Sequence, residues 1–383
     1  MEGVKHSNSP GSVGHCDLIV IGGGPAATSA AITAARSGIQ VLLLERGRLP
    51  RHRVCGEFVS AESLALLTSL LAGSSPGLLE AAPRIAHARL FAEGRTLATA
   101  IDPPAASIAR FDLDAALWTA AREAGVDARL ELTAESIVGT GPFRVTTTAG
   151  EWEARAVVQA SGRWSNLSRG PGPKPGMTHG RRAGTYVGLK AHFAETSPPA
   201  SVDLYFFDGG YCGVQPVRLS AAVGQNRINV CAVVRSDIAS TLEEVLHQHA
   251  QLGERAHGWQ PLMEPVSTAP LRFREPRAVQ DGVLLAGDAA GFVDPFVGDG
   301  ISLALRSGAL AAKWLVLFLR GQRSQQEAAV GYREAYRREL VPVFHHSRWI
   351  RRLLALPRPV RRSLACLLER TPSVTRYMAL RTR

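Results

Sequence analysis

Residues 17–45, DLIVIGGGPAATSAAITAARSGIQVLLLE, decide the fold of this chain. Residues 18–21 form a short apolar run that ends in glycines, the pattern of a buried parallel strand. Gly22-x-Gly24-x-x-Ala27 follows. The first glycine permits a tight turn, the second lets a pyrophosphate approach the backbone, and the small third residue lets a helix pack close to the strand. That helix opens at Pro25 and has no lysine in its first turns, so phosphate charge would meet backbone N–H groups and the helix dipole. A second strand over residues 41–44 ends in Glu45, about 20 residues beyond the glycines, where a carboxylate binds a ribose 2′-hydroxyl. A strand, glycines, a helix, a strand and an acid in register predict a dinucleotide site. Its candidate contacts are Gly22, Gly24, Pro25, Ala26, Ala27, Glu45 and the following Arg46. The pattern leaves FAD and NAD equally open.

The rest of the 383-residue chain is large enough for more than one domain, and its 45% hydrophobic and 20% charged content is that of a globular protein. Five scattered cysteines show no CxxC or Cys/His spacing, so neither a disulfide framework nor a metal site is indicated, and a reducing, cytoplasmic setting fits. The polar, glycine-rich first 16 residues lack an apolar h-region and read as a disordered leader. The longest apolar run, residues 303–319, contains Arg306 and Lys313 and reads as a buried or amphipathic helix, not a membrane span. Of the net charge of +11, residues 345–383 supply +9, from ten arginines and one glutamate. The main body is therefore close to neutral and a poor nucleic-acid binder.

After Glu45, residues 46–60 (RGRLPRHRVCGEFVS) read as a basic loop, followed by a helix over residues 61–71. Cys55 in this loop is either a small hydrophobe or a residue beside a redox centre. Glu57 is either reactive or ion-paired with Arg51 or Arg53. Residues 84–101 predict two strands, and Arg110 precedes an amphipathic helix, where it reaches a phosphate or faces solvent. Short strands fill residues 128–159 and end in VVQASGRWS. A Gly/Pro/Lys/Arg-rich stretch, residues 170–184, marks a domain crossing. Strands TYVGLKAHF, VDLYFF, YCGVQPV and RINVCAVV follow, then a helix over residues 242–251. The last motif, DGVLLAGDAAGFVDPFVGDGISLALRSGALAA, sets Gly287-Asp288 at a strand end and Gly298-Asp299-Gly300 at a helix start. Such a carboxylate binds sugar-like hydroxyls or merely makes a turn, and such a helix start stabilises negative charge.

Together the first fingerprint with Glu45, the Arg110 helix, and Gly287-Asp288 with residues 295–300 resemble the FAD-binding fold shared by aromatic-ring hydroxylases and geranylgeranyl reductases. The resemblance covers residues 15–320 in order and implies FAD as the cofactor. It implies that Glu45 binds the adenosine ribose, that Arg110 lies near the FAD, and that Asp288 contacts the ribityl or pyrophosphate. The backbone of Gly298, Gly300 and Ile301 would then face the flavin pyrimidine edge. Ser161 stands where the family has an aspartate in its Ala-Asp-Gly stretch. PRHRVCG resembles the Pro-x4-Cys-Gly loop of geranylgeranyl reductases, which places Cys55 by the isoalloxazine. GGYCGVQPV is similar to their Tyr-x-Trp-x-Phe-Pro substrate motif, with Tyr211 and Pro216 kept, Gly213 in place of the tryptophan and Gln215 in place of the phenylalanine. The Trp-x-Trp-x-Ile-Pro motif of halogenases is not found.

The fold implied is α/β: a Rossmann-like FAD-binding fold with an inserted antiparallel β-sheet substrate domain and a helical C-terminal tail. FAD-binding segments are residues 15–62, 105–175 and 272–322; residues 63–104 and 176–271 form the substrate domain, and residues 323–383 a basic tail. The implied function is transfer of hydride from reduced flavin to a C=C bond of a hydrophobic, isoprenoid or polyketide-like substrate, with Cys55, Glu57 or water supplying the proton. The alternative is a monooxygenase that hydroxylates an aromatic or polyketide substrate through a flavin C4a-hydroperoxide. No second GxGxxG exists, so the electron donor is a transient NAD(P)H or a redox partner protein. The tail reads as two short helices, residues 344–356 and 359–368, that either lie on an anionic membrane surface or pack on the FAD domain.

Overall fold

A computed structural model describes residues 13–163, 167–169, 185–220, 226–271, 273–292, 298–354 and 356–370. The first 12 residues of the predicted leader, the domain crossing at 170–184, and Pro295 lie outside the described residues, while Gly14–Cys16 at the end of that leader are not disordered but open β1.

Two sheets divide the chain. The first contains β1 (Gly14–Ile21), β2 (Val41–Leu44), β6 (Asp127–Arg129), β7 (Ala134–Val138), β8 (Phe143–Thr147), β9 (Gly150–Gln159), β10 (Ser168–Arg169), β17 (Val279–Gln280) and β18 (Val283–Leu285). Its order is β10-β7-β8-β9-β1-β2-β6, with β18 beside the C-terminal end of β9. The β9-β1-β2-β6 run is parallel, with Leu18 opposite Val41 and Ala156, so the apolar run of β1 is enclosed on both faces. Helix α1 (Pro25–Ala35) follows the first glycines, and α7 (Gly300–Leu319) follows the last motif. Alanines, Thr28 and Ser29 along α1 let α7 approach so closely that a Cβ on Gly308 would meet the Ala26 carbonyl at 2.1 Å. The Ser29 hydroxyl donates across this contact to the Leu305 carbonyl at 2.7 Å. Helix α7 is long and apolar enough to cross a membrane, yet 67% of its apolar window is buried inside this domain. It is the core helix of the nucleotide-binding half.

The second sheet contains β3 (Phe58–Val59), β4 (Arg84–Ala92), β5 (Arg95–Ser107), β11 (Tyr186–Ala194), β12 (Ser201–Phe207), β13 (Gly210–Val217), β14 (Arg227–Arg235), β15 (Gln260–Pro261) and β16 (Val266–Leu271). Its order is β15-β11-β14-β13-β12-β4-β5-β3, and β16 pairs with the free side of β11. It is antiparallel except where β12 runs parallel to β4. Alternation sorts its faces. Cys212, Val214, Ile228, Val230, Ala232 and Leu189 pack under α5 (Leu242–Leu246) and α6 (Ala250–Ala256), whereas Lys190, His192, Asn229, Cys231 and Tyr211 occupy the opposite face. The single helix expected over residues 242–251 is divided in two. A capping box formed by Thr241 and Glu244 starts the first, which ends at His247, and His249 begins the second.

Four helices connect and cover these sheets: α2 (Ala61–Leu71), α3 (Pro76–Glu80), α4 (Arg110–Glu123) and α8 (Gln325–Glu339). The boundary drawn at residue 322 separates helices that pack together. Tyr332 of α8 is fully buried and donates to the Leu285 carbonyl at 2.7 Å, so α8 belongs with the nucleotide-binding core. The tail proper is α9 (Val341–Leu354) and α10 (Arg358–Arg370). Val343 and Phe344 anchor α9 in the nucleotide-binding core, while the rest of α9 and α10 cross the second sheet.

Candidate functional site

The glycine-rich turn is built for a ligand that approaches the backbone. Gly22 has φ +123° and a Cβ there would lie 2.3 Å from the Ala160 carbonyl, so only glycine fits. Gly24 is the N-cap of α1 with no side chain capping it, and the nearest atom to a Cβ there is an Arg110 nitrogen at 3.7 Å. The first-turn N–H groups of α1 thus face open space beside a guanidinium, the donor set a pyrophosphate needs. Pro25, Ala26 and Ala27 are buried, and Ala26 meets the last motif: a Cβ on Gly287, which has φ +60°, would touch its methyl at 2.9 Å. Glu45 is buried, with Oε1 accepting from the Gly47 N–H and Arg51 Nη2, both at 2.8 Å. Arg51, which the sequence suggested for Glu57, therefore orients Glu45, and Arg46 is exposed to solvent.

Arg110 is largely buried and grips Asp114 one helical turn later with a two-pronged pair at 2.9 and 2.8 Å. Asp114 and Cys55 keep the guanidinium charged despite its burial. The surface alternative for Arg110 is thereby excluded. Asp288 sits in the short 3-10 turn Gly287–Ala289, 3.6 Å from Arg163, whose guanidinium stacks over Phe292 at 4.4 Å. Burial pushes the Asp288 carboxyl up, opposed by Arg163 and Arg110. At the start of α7, Gly298 has φ +74° and lies against the Phe58 ring, a Cβ on Gly300 would meet nothing within 4 Å, and Ile301 is buried. Asp299 between them accepts from the Ser60 hydroxyl at 3.0 Å, and burial pushes its carboxyl up to about 6. Open space over Gly24 and Gly300, two helix starts without side-chain caps, and charge-bearing Arg110, Glu45 and Asp288 fit an extended dinucleotide that ends at α7.

Cys55 lies in the loop between β2 and β3, with Sγ accepting the Glu57 N–H at 3.4 Å. Glu57 is fully enclosed: Oε1 accepts from Lys190 Nζ and from the Arg110 N–H at 2.9 Å, and Oε2 pairs with His192 Nε2 at 2.8 Å. The ion pair suggested with Arg51 or Arg53 is not formed, since both arginines serve Glu45 and Asp114. Burial alone would raise the Glu57 carboxyl, but Lys190 and His192 outweigh it and hold it at about 2. Both of its oxygens are engaged by Lys190, His192 and the Arg110 N–H, and Glu57 does not line the cavity, so its geometry is that of a structural anchor. Lys190, His192 and Asn229 escaped the sequence reading. Their signal is polar residues at every second position of strands otherwise apolar, Lys190 and His192 in β11 and Arg227 and Asn229 in β14.

From Gly56 and Gly298 a cavity of about 720 Å³ extends outward along the exposed face of the second sheet. Phe58, Leu90, Ile101, Leu204, Phe206 and Val233 are among its walls. Tyr211, Gly213 and Gln215 all face it, as strand alternation requires, and Pro216 points the other way. Gln215 also donates to the Ser107 hydroxyl at 2.6 Å. Ile350 and Leu353 near the end of α9, Leu356 beyond it, and Leu364, Ala365 and Leu368 of α10 form the roof, ringed by Arg351, Arg358 and Arg361. The start of the tail packs on the nucleotide-binding core through Phe344, and beyond it the tail lies over the second sheet. Its apolar residues cover the cavity.

The FAD binding domain family matches residues 15–339. Digeranylgeranylglycerophospholipid reductase 2 of Methanopyrus kandleri is 28% identical over 316 residues, covering 78% of this chain and 76% of its own length. Menaquinone reductase of Mycobacterium tuberculosis is 27% identical over 325 residues, covering 78% and 76%. Among solved structures, a geranylgeranyl bacteriochlorophyll reductase-like protein from Thermoplasma acidophilum superposes with a TM-score of 0.72 at 20% identity, covering 94% of this chain and 92% of its own. The flavin-dependent brominase Bmp2 superposes with a TM-score of 0.76 at 18% identity, covering 96% and 93%. These two show the shared fold. The chain belongs to the FAD binding domain family and is an FAD-dependent oxidoreductase.

Proposed function

We propose that this protein reduces a C=C bond in a long, hydrophobic, isoprenoid-type substrate. The observation that carries this is the cavity: it begins at Gly56 and Gly298 and runs about 720 Å³ between an apolar sheet face and a leucine-rich helical roof. Such a shape takes a flexible apolar chain lengthwise and gives it few polar partners. The relatives named for a digeranylgeranyl lipid and for menaquinone point the same way. When bound, FAD supplies the hydride. Glu45, Arg110, Asp288 and the backbone at Gly24 and Gly300 would hold it, Phe58 and the roof would exclude water, and Cys55, next to the cavity-lining Gly56, would handle the proton. Tyr211 and Gln215 orient the chain, and Gly213 leaves it room where an aromatic ring would block it.

A hydroxylase and a reductase differ in their need for O2. Chemically reduced enzyme under strictly anaerobic conditions is expected to saturate an isoprenoid lipid in a single turnover; turnover only after O2 is admitted would assign the hydroxylase reaction instead. Comparing NADPH, NADH and a ferredoxin-type donor in the same assay identifies the electron source. The outward side of the tail carries exposed Trp349, Val360 and Leu367 beside Arg352 and Arg362, the composition of a surface that rests on anionic lipid and receives an apolar substrate there. Sedimentation with anionic vesicles is expected to fall in a Trp349→Ser/Arg352→Ser variant and to be absent with neutral vesicles. Equal sedimentation of both proteins would refute the contact.

A further inference from the structure

The loop that carries Cys55 has little secondary structure of its own, yet it is tied down from a direction unrelated to FAD. The carbonyls of Cys55 and Gly56 both accept from Asn229 Nδ2, at 3.1 and 2.9 Å. Glu57 adopts φ +60°, a left-handed conformation that costs energy for a non-glycine residue and persists only where its surroundings hold it. Its carboxylate is held by Lys190, His192 and the Arg110 N–H, and its carbonyl accepts from the Ile108 N–H at 2.9 Å. The Glu57 N–H in turn fixes the sulfur of Cys55.

The three side chains that do this form one patch on the sheet. His192 of β11 lies opposite Asn229 of β14, and Lys190 lies opposite Cys231, the next residue on the same face. All three are 0–1% exposed and none lines the cavity. A buried Lys–Glu–His group does not win on stability over apolar side chains of similar volume, because the desolvation of its charges offsets their attraction. What it does supply is a fixed position for the loop, since Lys190 and His192 hold both oxygens of Glu57 while Asn229 holds the two carbonyls before it.

We propose that Asn229, His192 and Lys190 are positioning residues: they grip the Cys55–Gly56 carbonyls and the Glu57 carboxylate from the substrate sheet and thereby set Cys55 Sγ against the reacting end of the cavity. The assignment rests on the reading that Cys55 works there. It also couples the two halves of the molecule, because the carboxylate they hold binds the first N–H of α4, whose Arg110 lies over the Gly24 turn.

The test uses holoenzyme in which the alkylation rate of Cys55 by iodoacetamide is followed by peptide mass spectrometry, a readout independent of turnover. Asn229→Leu and His192→Leu are expected to keep bound flavin and a cooperative unfolding transition, to change the Cys55 alkylation rate by more than about threefold, and to lower kcat by roughly tenfold to a hundredfold with KM within about twofold, the scale of a misplaced reacting group. His192→Gln, whose amide donates to the same Glu57 oxygen, should restore both readouts. In a Cys55→Ala background the Asn229→Leu loss of kcat should shrink, since a residue that acts through another has nothing left to position. Unchanged Cys55 alkylation in both leucine variants, or equal losses in flavin content and turnover with no rescue by glutamine, would overturn the assignment. Full activity of Cys55→Ala with a shifted alkylation rate would instead refute the role of Cys55 and leave the cradle standing.

Discussion

The two halves of this protein hold their ligands by different means. In the nucleotide-binding half, the site is built mostly from backbone, with Gly22 and Gly287 at positive φ, uncapped helix starts at Gly24 and Gly300, and helices pressed together at Gly308, beside the side chains of Glu45, Arg110 and Asp288. In the substrate half it is built from side chains that alternate along strands and from a roof borrowed from the far end of the chain. A backbone site at positive φ or at helix contact tolerates few added atoms. A side-chain site can be re-cut one residue at a time, as Gly213 and Gln215 suggest.

The largest effect should come from adding atoms to the backbone half. Gly308→Val puts a branched side chain where a Cβ already lies 2.1 Å from the Ala26 carbonyl, and both partners are packed helix backbone. No folded, yellow protein is expected. Gly300→Ala, at a helix start with nothing within 4 Å, should fold normally, so any loss of visible flavin absorbance would report the ligand's own need for that space.

Next in size is the keystone between the halves. Glu57→Gln leaves Lys190 and His192 buried without their counter-charge and should cost about 3–5 kcal/mol in urea unfolding at neutral pH. The pH dependence gives the sign. The folded-state carboxyl lies near 2 against 4.5 when free, so its stabilising contribution is complete above pH 4.5 and is lost as pH falls toward 2. The gap between wild type and Glu57→Gln should therefore be constant above that value and narrow below it. A gap that widens on acidification would mean that Glu57 is not the anion of the cluster.

This contrast also explains what the sequence made legible. Strand, glycines, helix and acid in register specify a backbone path, so β1, α1, β2, Glu45 and the α7 start were readable from residues 17–45 and 283–301 alone. Strands β11 to β14 of the second sheet were readable within a residue, because alternation is a local property, whereas β3, β15 and β16 were not. What joins them was not. That Glu57 meets Lys190 and His192, more than a hundred positions away, depends on which strand lies beside which, and nothing local to residue 57 encodes it. Its nearer arginines were the natural partners by proximity, and they serve other acids. The tail shows the same limit. Its arginines and leucines announced an amphipathic pair of helices, but the surface beneath them is set by the β4–β5 and β12–β13 turns.

A smaller effect, confined to the substrate half, should follow from Gly213→Trp. Backbone at this position is ordinary, and a Cβ would meet only the Leu204 methyl at 3.4 Å and the Cys231 carbonyl at 3.6 Å. The indole then projects into the cavity. Flavin content should be unchanged, stability should fall by less than about 2 kcal/mol, and kcat/KM should drop by roughly tenfold or more for a long isoprenoid but little for a short one. Equal losses for long and short substrates would place the substrate chain elsewhere than along β13.

The smallest effect concerns the roof. Arg361 of α10 reaches Glu93 at 2.7 Å and Asp208 at 2.6 Å, clasping the β4–β5 turn and the β12–β13 turn from above, and Arg358 adds a second contact to Asp208 at 2.9 Å. Arg361 and Glu93 are largely enclosed while Asp208 is exposed, and glutamine keeps one amide donor for these acids, so Arg361→Gln should lower global stability by only about 1 kcal/mol. Its effect on access should be clearer than its effect on stability. Arg361 and its partners close the seam between α10 and the two turns, and a long apolar substrate that enters from a lipid surface must part that seam. Loosening it by about 1 kcal/mol changes the population of the parted form up to about fivefold. Arg361→Gln should therefore raise the rate of long-substrate association by a few-fold, and added salt should raise it in wild type and not in the variant. Arg352→Gln, on the outward side of α9, should leave this rate in solution unchanged and weaken only sedimentation with anionic vesicles. If Arg361→Gln slows association instead, the arginine guides an anionic substrate group inward and the roof is fixed in place, and the comparison would then be between two rigid halves.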